Sequence, residues 1–187
     1  MEKSKNSVRF LTEAGIMIAL ATVLSMIKVF KMPQGGSITA GSMIPIILIA
    51  LRWGTLRGIL VGLAYGVLQS IVEPYVVHPV QYILDYPLAF GLLGLAGLGK
   101  ELALKLNAKK DSFKEYIFII TGIFLGILGR FISHVLAGVV FFSENAESLD
   151  SWTYSMGYNG SYLGVELLIS ILIIILIWGP LKRHLPN

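Results

Sequence analysis

Five ionisable side chains, Glu13, Asp85, Arg130, His134 and Glu166, fall inside strongly apolar stretches of the sequence. Within a bilayer such groups are costly and by default mark function or a paired structural contact. Asp85 lies six residues past Pro79, His134 eight before Phe142, and Asn159 about five into the last apolar run. At the rise of an α-helix these positions sit about 9, 12 and 8 Å below the outer boundary. A carboxylate, an imidazole and a carboxamide from three helices could therefore meet at one depth. Tyr75, Tyr86, Phe142, Trp152, Tyr154 and Tyr158 fall within reach of that level. His134, Gly138 and Phe142 share one helix face, and the glycine leaves space one turn above the imidazole. A carboxylate among aromatic faces suits a flat organic cation, which gains ion pairing and cation–π attraction of about 2 kcal/mol when desolvated. A sugar or an inorganic anion fits poorly. The bland alternatives are an interfacial tyrosine belt and a histidine that is hydrogen-bonded for packing. Arg130 and Glu166, about 18 and 17 Å deep by the same rise, are expected to form a buried structural ion pair.

Enzyme chemistry has little to stand on. His78, His134 and His184 have no metal-ligand spacing, and no glycine-rich phosphate loop or Gly-x-Ser-x-Gly elbow is present. Cysteine is absent, which removes thiolate metal sites, disulfides and cysteine nucleophiles. Ser133 or Ser155 beside His134 is the one hydrolase-like pairing, and no motif supports it. The sequence therefore predicts neither an enzyme nor a bound cofactor, and any ATP must be used by a partner.

The elements that position these groups follow from composition. Of 187 residues 55% are hydrophobic and 14% charged, against roughly 25% charged in soluble domains. At about 20 residues per crossing, the chain accommodates an all-α membrane protein of six transmembrane helices in a single membrane domain. The spans read as about 8–30, 38–51, 56–72, 79–98, 115–142 and 154–181, with Pro79 suited to the first turn of the fourth. The basic start, Met1 to Phe10, leads into an apolar run without a small-residue cleavage site, which reads as a retained helix rather than a signal peptide.

The net charge of +4 lies at the edges of apolar runs rather than on a polar face, which argues for topology and against nucleic acid. With the amino end inside, the inner side holds Lys3, Lys5, Arg9, Arg52, Arg57, Lys100, Lys105, Lys109, Lys110, Lys114, Lys182 and Arg183 of the 15 basic residues. Lys28 and Lys31 fall outside, with the acidic Glu73, Glu144, Glu147 and Asp150. This asymmetry predicts both termini in the cytoplasm. Gly15 and Ala19 form a small-xxx-small face on the first helix, widened by Ala14 and Ala21, which suits a close helix partner or ordinary packing within the chain.

Several stretches together resemble the thiamin-specific S-component family of energy-coupling factor (ECF) transporters, the ThiT or YuaJ group. They are Met32-Pro33-Gln34-Gly35-Gly36-Ser37, Ile44-Pro45-Ile46 with Arg52-Trp53-Gly54, His78-Pro79-Val80-Gln81 with Leu84-Asp85-Tyr86, His134 to Gly138 with Phe141-Phe142, and Tyr154-Ser155 with Tyr158-Asn159. The resemblance implies a substrate-binding subunit in a prokaryotic plasma membrane that captures thiamin at the outer face. It implies a transmembrane coupling subunit and two ATP-binding subunits as partners, docked on Gly15 and Ala19. Asp85, His134, Tyr154 and Asn159 are implied thiamin contacts, with Tyr75, Tyr86, Gly138 and Phe142 lining the site under the Pro33-to-Ser37 loop. Some members have glutamate at Asp85 and tryptophan at Phe142 and Gly36, so the pyrimidine is expected closer to the fourth helix or contacted through water, with Trp152 or Tyr158 compensating for a missing indole. A stand-alone facilitator, or an S-component for a related pyrimidine or organic cation, is the alternative.

Overall fold

The structure, a computed structural model, describes residues 2–146 and 149–183. Glu147 and His184 lie outside the described residues, as do the side chains of Lys3, Lys182 and Arg183. Six apolar helical segments follow in order: α1 (Glu2–Met26), α2 (Ile44–Trp53), α3 (Thr55–Val72), α4 (Pro79–Lys105), α5 (Phe113–Phe141) and α6 (Ser151–Arg183). All but α2 are long and apolar enough to cross a membrane.

The first two spans depart from the sequence reading. Helix α1 stops at Met26, and the chain then forms a hairpin of β1 (Lys28–Lys31) and β2 (Ser37–Thr39), paired antiparallel with Phe30 opposite Ile38. Its tip turns through Gln34 at φ 56° and Gly35 at φ 92°. Ile38 and Thr39, expected in the second span, are thus strand residues. Helix α2 begins only at Ile44, after Gly41 at φ 87°, with Pro45 in its first turn. Its 10 residues reach about 15 Å, half the hydrocarbon thickness. Every residue from Ile44 to Leu51 is buried, so this short helix is apolar all round because it is the centre of the core.

Glycine sets the helix spacing. Gly58, Gly62 and Gly66 form a row on α3, where a Cβ would lie 2.2 Å from the Phe90 carbonyl oxygen at Gly62 and 2.4 Å from that of Tyr86 at Gly66. Backbone therefore meets backbone between α3 and α4. On α1 the small-residue face is different. A Cβ at Gly15 would have nothing within 4 Å, and Ala19 is exposed. Ala14 and Ala21 are turned into the core and do not widen that face as expected.

Helix α4 starts as the sequence predicts, with Pro79 in the first turn and the His78 ring accepting from the Val80 amide. It then opens into a wide π-type turn at Leu84–Leu88 that contains Pro87. Proline lacks an amide hydrogen and crowds the carbonyl four residues back, and the wider turn accommodates both. The Leu84 carbonyl at the start of this turn accepts from Ser133 Oγ on α5 at 2.6 Å. Helix α6 is capped by Asp150, which accepts from the Thr153 amide at 3.0 Å and its hydroxyl at 2.5 Å. Those bonds, the hydroxyl's above all, hold the Asp150 carboxyl below the usual carboxylate range. Near the middle of α1, Glu13 accepts from Arg9, Arg52 and the Trp53 indole at 2.8–3.0 Å. This intramembrane carboxylate has a structural role.

Candidate functional site

A cavity of about 570 Å³ opens between the hairpin and α3–α6. Tyr75, Asp85, Tyr86, His134, Gly138, Phe142, Tyr154 and Asn159 all line it. The wide turn of α4 carries Asp85 and Tyr86, α5 carries His134 and Gly138, and α6 carries Tyr154 and Asn159.

At its centre Asp85 Oδ1 lies 2.7 Å from His134 Nδ1, and Asp85 Oδ2 accepts from Gln81 Nε2 at 2.6 Å. Both side chains keep partial exposure, 16% for Asp85 and 12% for His134, so a ligand can reach them. Asn159 is pinned to its own helix, donating to the Ser155 carbonyl at 2.9 Å and accepting from the Tyr162 hydroxyl at 2.9 Å. One lone pair of its carbonyl oxygen remains for another donor. A Cβ at Gly138 would lie 2.1 Å from Ser155 Oγ, so this glycine lets α6 close onto α5.

Aromatic rings form the walls. Phe142 stacks on Tyr75 at 5.8 Å and Tyr154 on Tyr158 at 6.0 Å, while His134 meets Tyr162 edge-on at 6.4 Å. The Tyr86 hydroxyl is committed within the fold, donating to the Glu73 carbonyl and accepting from the Tyr75 amide. It fixes the loop between α3 and α4. Trp152 is 50% exposed and takes no part in the wall. Tyr158 does. Its hydroxyl accepts from the Gly36 amide at 2.9 Å and donates to the Pro33 carbonyl. A Cβ at Gly36 would sit 2.7 Å from that oxygen, so the phenol occupies the space a side chain at residue 36 would need. The hairpin is also tied down by an ion pair between Lys28 and Glu73 at the end of α3.

The expected ion pair between Arg130 and Glu166 does not form. Arg130 Nε donates to His134 Nε2 at 3.1 Å, and its guanidinium lies 4.1 Å from the Phe90 ring centroid. Glu166 Oε1 accepts from the amide and hydroxyl of Thr39 at 2.5 and 2.8 Å. Helical spacing explains the first outcome, since Arg130 is one turn from His134 on α5, and the hairpin explains the second by placing the Thr39 donors against α6. Arg130, Glu166, Gln81 and Tyr162 also line the cavity. Of these, Gln81 carried a legible signal, four residues before Asp85 on the same helix face.

Residues 11–184 match the family described as thiamine transporter protein (Thia_YuaJ). The chain belongs to this thiamine transporter family. It is 36% identical over 191 residues to the thiamine transporter ThiT of Bacillus subtilis strain 168, covering 100% of this chain and 98% of the relative. It is 31% identical over 182 residues to a thiamine transporter ThiT of Lacticaseibacillus paracasei, covering 95% and 88% respectively. A solved structure of ThiT from Listeria monocytogenes superposes with a TM-score of 0.81 at 28% identity, over 96% of each chain. The family is one of membrane transporters rather than enzymes, in keeping with five helices long and apolar enough to cross a membrane.

Proposed function

We propose that this protein is the thiamin-binding S-component of an ECF-type importer, a single membrane domain that captures thiamin at the outer face. The observation that carries this reading is the Asp85–His134 pair at 2.7 Å, set in an aromatic cavity of about 570 Å³, in a chain of the thiamine transporter family. The thiazolium has a fixed positive charge and stacks on Tyr75, Phe142 and the His134 ring, where the cation–π attraction is strongest once water is excluded. The aminopyrimidine presents donors to Asp85 and to the free lone pair of Asn159, and Tyr154 adds a further polar contact. The hairpin, held by Tyr158 and by the Lys28–Glu73 pair, closes over the ligand.

Energy comes from outside the chain. A transmembrane coupling subunit docks on the exposed α1 face at Gly15 and Ala19, and two ATP-binding subunits drive reorientation in the membrane. Calorimetric titration of thiamin into ligand-stripped protein in detergent tests the binding step, with thiamin phosphates and hydroxymethylpyrimidine as competitors. Tight one-to-one binding supports the reading, and no binding overturns it. Uptake into vesicles with and without the partner subunits separates an S-component from a stand-alone facilitator, which would transport alone.

A further inference from the structure

Gln81 is 1% exposed, and both ends of its carboxamide are hydrogen-bonded. Nε2 donates to the Tyr75 carbonyl at 3.0 Å and to Asp85 Oδ2 at 2.6 Å, while Oε1 accepts from the Val77 amide at 3.1 Å. Turning the amide over would set oxygen against oxygen at two contacts and N–H against N–H at the third, so its orientation is fixed. On the other side of the pair stands Arg130. A guanidinium has donors and no acceptor. Because Arg130 Nε approaches His134 Nε2 at 3.1 Å, that nitrogen must offer its lone pair. The ring proton then sits on Nδ1, aimed at Asp85 Oδ1 at 2.7 Å.

We infer that Gln81 and Arg130 are positioning residues that fix the Asp85–His134 pair as a purely accepting surface, and so select a ligand ring bearing an amino group over one bearing an oxo group. Each carboxylate oxygen takes one internal donor and keeps a lone pair for the ligand. Nε2 of His134 is occupied by Arg130, so the imidazole presents only its ring face. An oxo group placed here would meet carboxylate oxygen and nothing to donate to it. A site built around a hydrogen bond discriminates strongly against an analogue that cannot make it, because its polar groups are left unpaired. The selectivity rests on the reading of thiamin as ligand; the tautomer does not.

The test combines ¹⁵N spectra of histidine-labelled protein, with His134 assigned through His134→Gln, and titration with thiamin and its 4-oxo analogue. In the unmodified protein His134 should show a protonated Nδ1 and an unprotonated Nε2, with thiamin preferred by on the order of 100-fold. Arg130→Met should leave Nε2 free to carry a proton as well, Asp85 still holding the one on Nδ1, and lower that preference about tenfold, and Arg130→Lys should restore both, since an ammonium also donates. Gln81→Leu should lower the preference while leaving the His134 tautomer unchanged. A proton on Nε2 in the unmodified protein, or an Arg130→Met variant that keeps both tautomer and selectivity, would overturn the inference. If Gln81→Leu does not fold, the spectrum and the two Arg130 variants decide. Failure of thiamin to bind the unmodified protein would overturn the ligand and the selectivity, with the tautomer judged separately by the spectrum.

Discussion

Replacing Asp85 with asparagine changes one oxygen into an NH₂ group and nearly preserves shape, so its effect can be worked from the hydrogen bonds around it. The carboxylate accepts from His134 Nδ1 at 2.7 Å and from Gln81 Nε2 at 2.6 Å. Asparagine can satisfy only one of these donors and must point its own N–H groups at the other. Neither neighbour can adapt, since Gln81 is held by Tyr75 and Val77 and His134 by Arg130. A hydrogen bond from the aminopyrimidine to this charged group contributes about 1.5–3 kcal/mol. At 1.4 kcal/mol per factor of ten, Asp85→Asn should weaken thiamin at least about tenfold, with a central expectation near 100-fold. Calorimetry measures this, and the thermal midpoint of the ligand-free variant controls for folding. A dissociation constant within about threefold of the unmodified protein would remove Asp85 from the site and refute the reasoning.

Tyr158→Phe removes the hydroxyl that joins Gly36 and Pro33 to α6. Stopped-flow measurements should show thiamin leaving about tenfold faster with little change in association, as befits one lost polar anchor. Gly62→Ala forces a Cβ to within 2.2 Å of the Phe90 carbonyl oxygen and should destabilise the fold by about 1–3 kcal/mol in detergent unfolding. Gly15→Leu meets open space; it should leave thiamin affinity unchanged but stop ATP-driven uptake in vesicles containing the partner subunits. Asp150→Ala should lower the unfolding midpoint at neutral pH. The folded carboxyl titrates below its unfolded value of about 3.9, so its contribution is complete above that value and fades as pH falls through the lower, folded one. The gap between variant and parent should close over that window.

The site was legible wherever one helix and a depth estimate sufficed. Asp85, His134 and Asn159 line one cavity because a rise of 1.5 Å per residue carries each to nearly the same level from its own boundary. The hairpin was not legible. Lys28–Lys31 and Ser37–Thr39 are too short to show alternation, and their partner is found only by folding the tip back through Gln34 and Gly35. Arg130 and Glu166 were correctly singled out as intramembrane charges but wrongly paired, because equal depth says nothing of direction around the helix. The glycines of α3 carried the same spacing signal as Gly15 and Ala19 on α1. Whether such a row meets the chain's own backbone or remains open depends on the packing of neighbours, which no local pattern encodes.

The wide turn at Leu84–Leu88 separates two duties of one helix. Below it, Gly91 and Gly94 lock α4 against α3, where a Cβ at Gly94 would lie 2.1 Å from the Ile59 amide nitrogen. Within it, Asp85 lines the cavity and is bonded to Gln81 one turn above. An uninterrupted α-helix would impose one angular phase on both halves, so any rotation that re-aimed the carboxylate would also break the glycine seam. The extra residue in the turn uncouples them, and Ser133 secures the offset through the Leu84 carbonyl. Deleting one residue of this segment after Asp85 would therefore act as a twist: the packed half would keep its seat while the residues before the deletion turned by about 100°, carrying Asp85 away from His134 with both side chains still present.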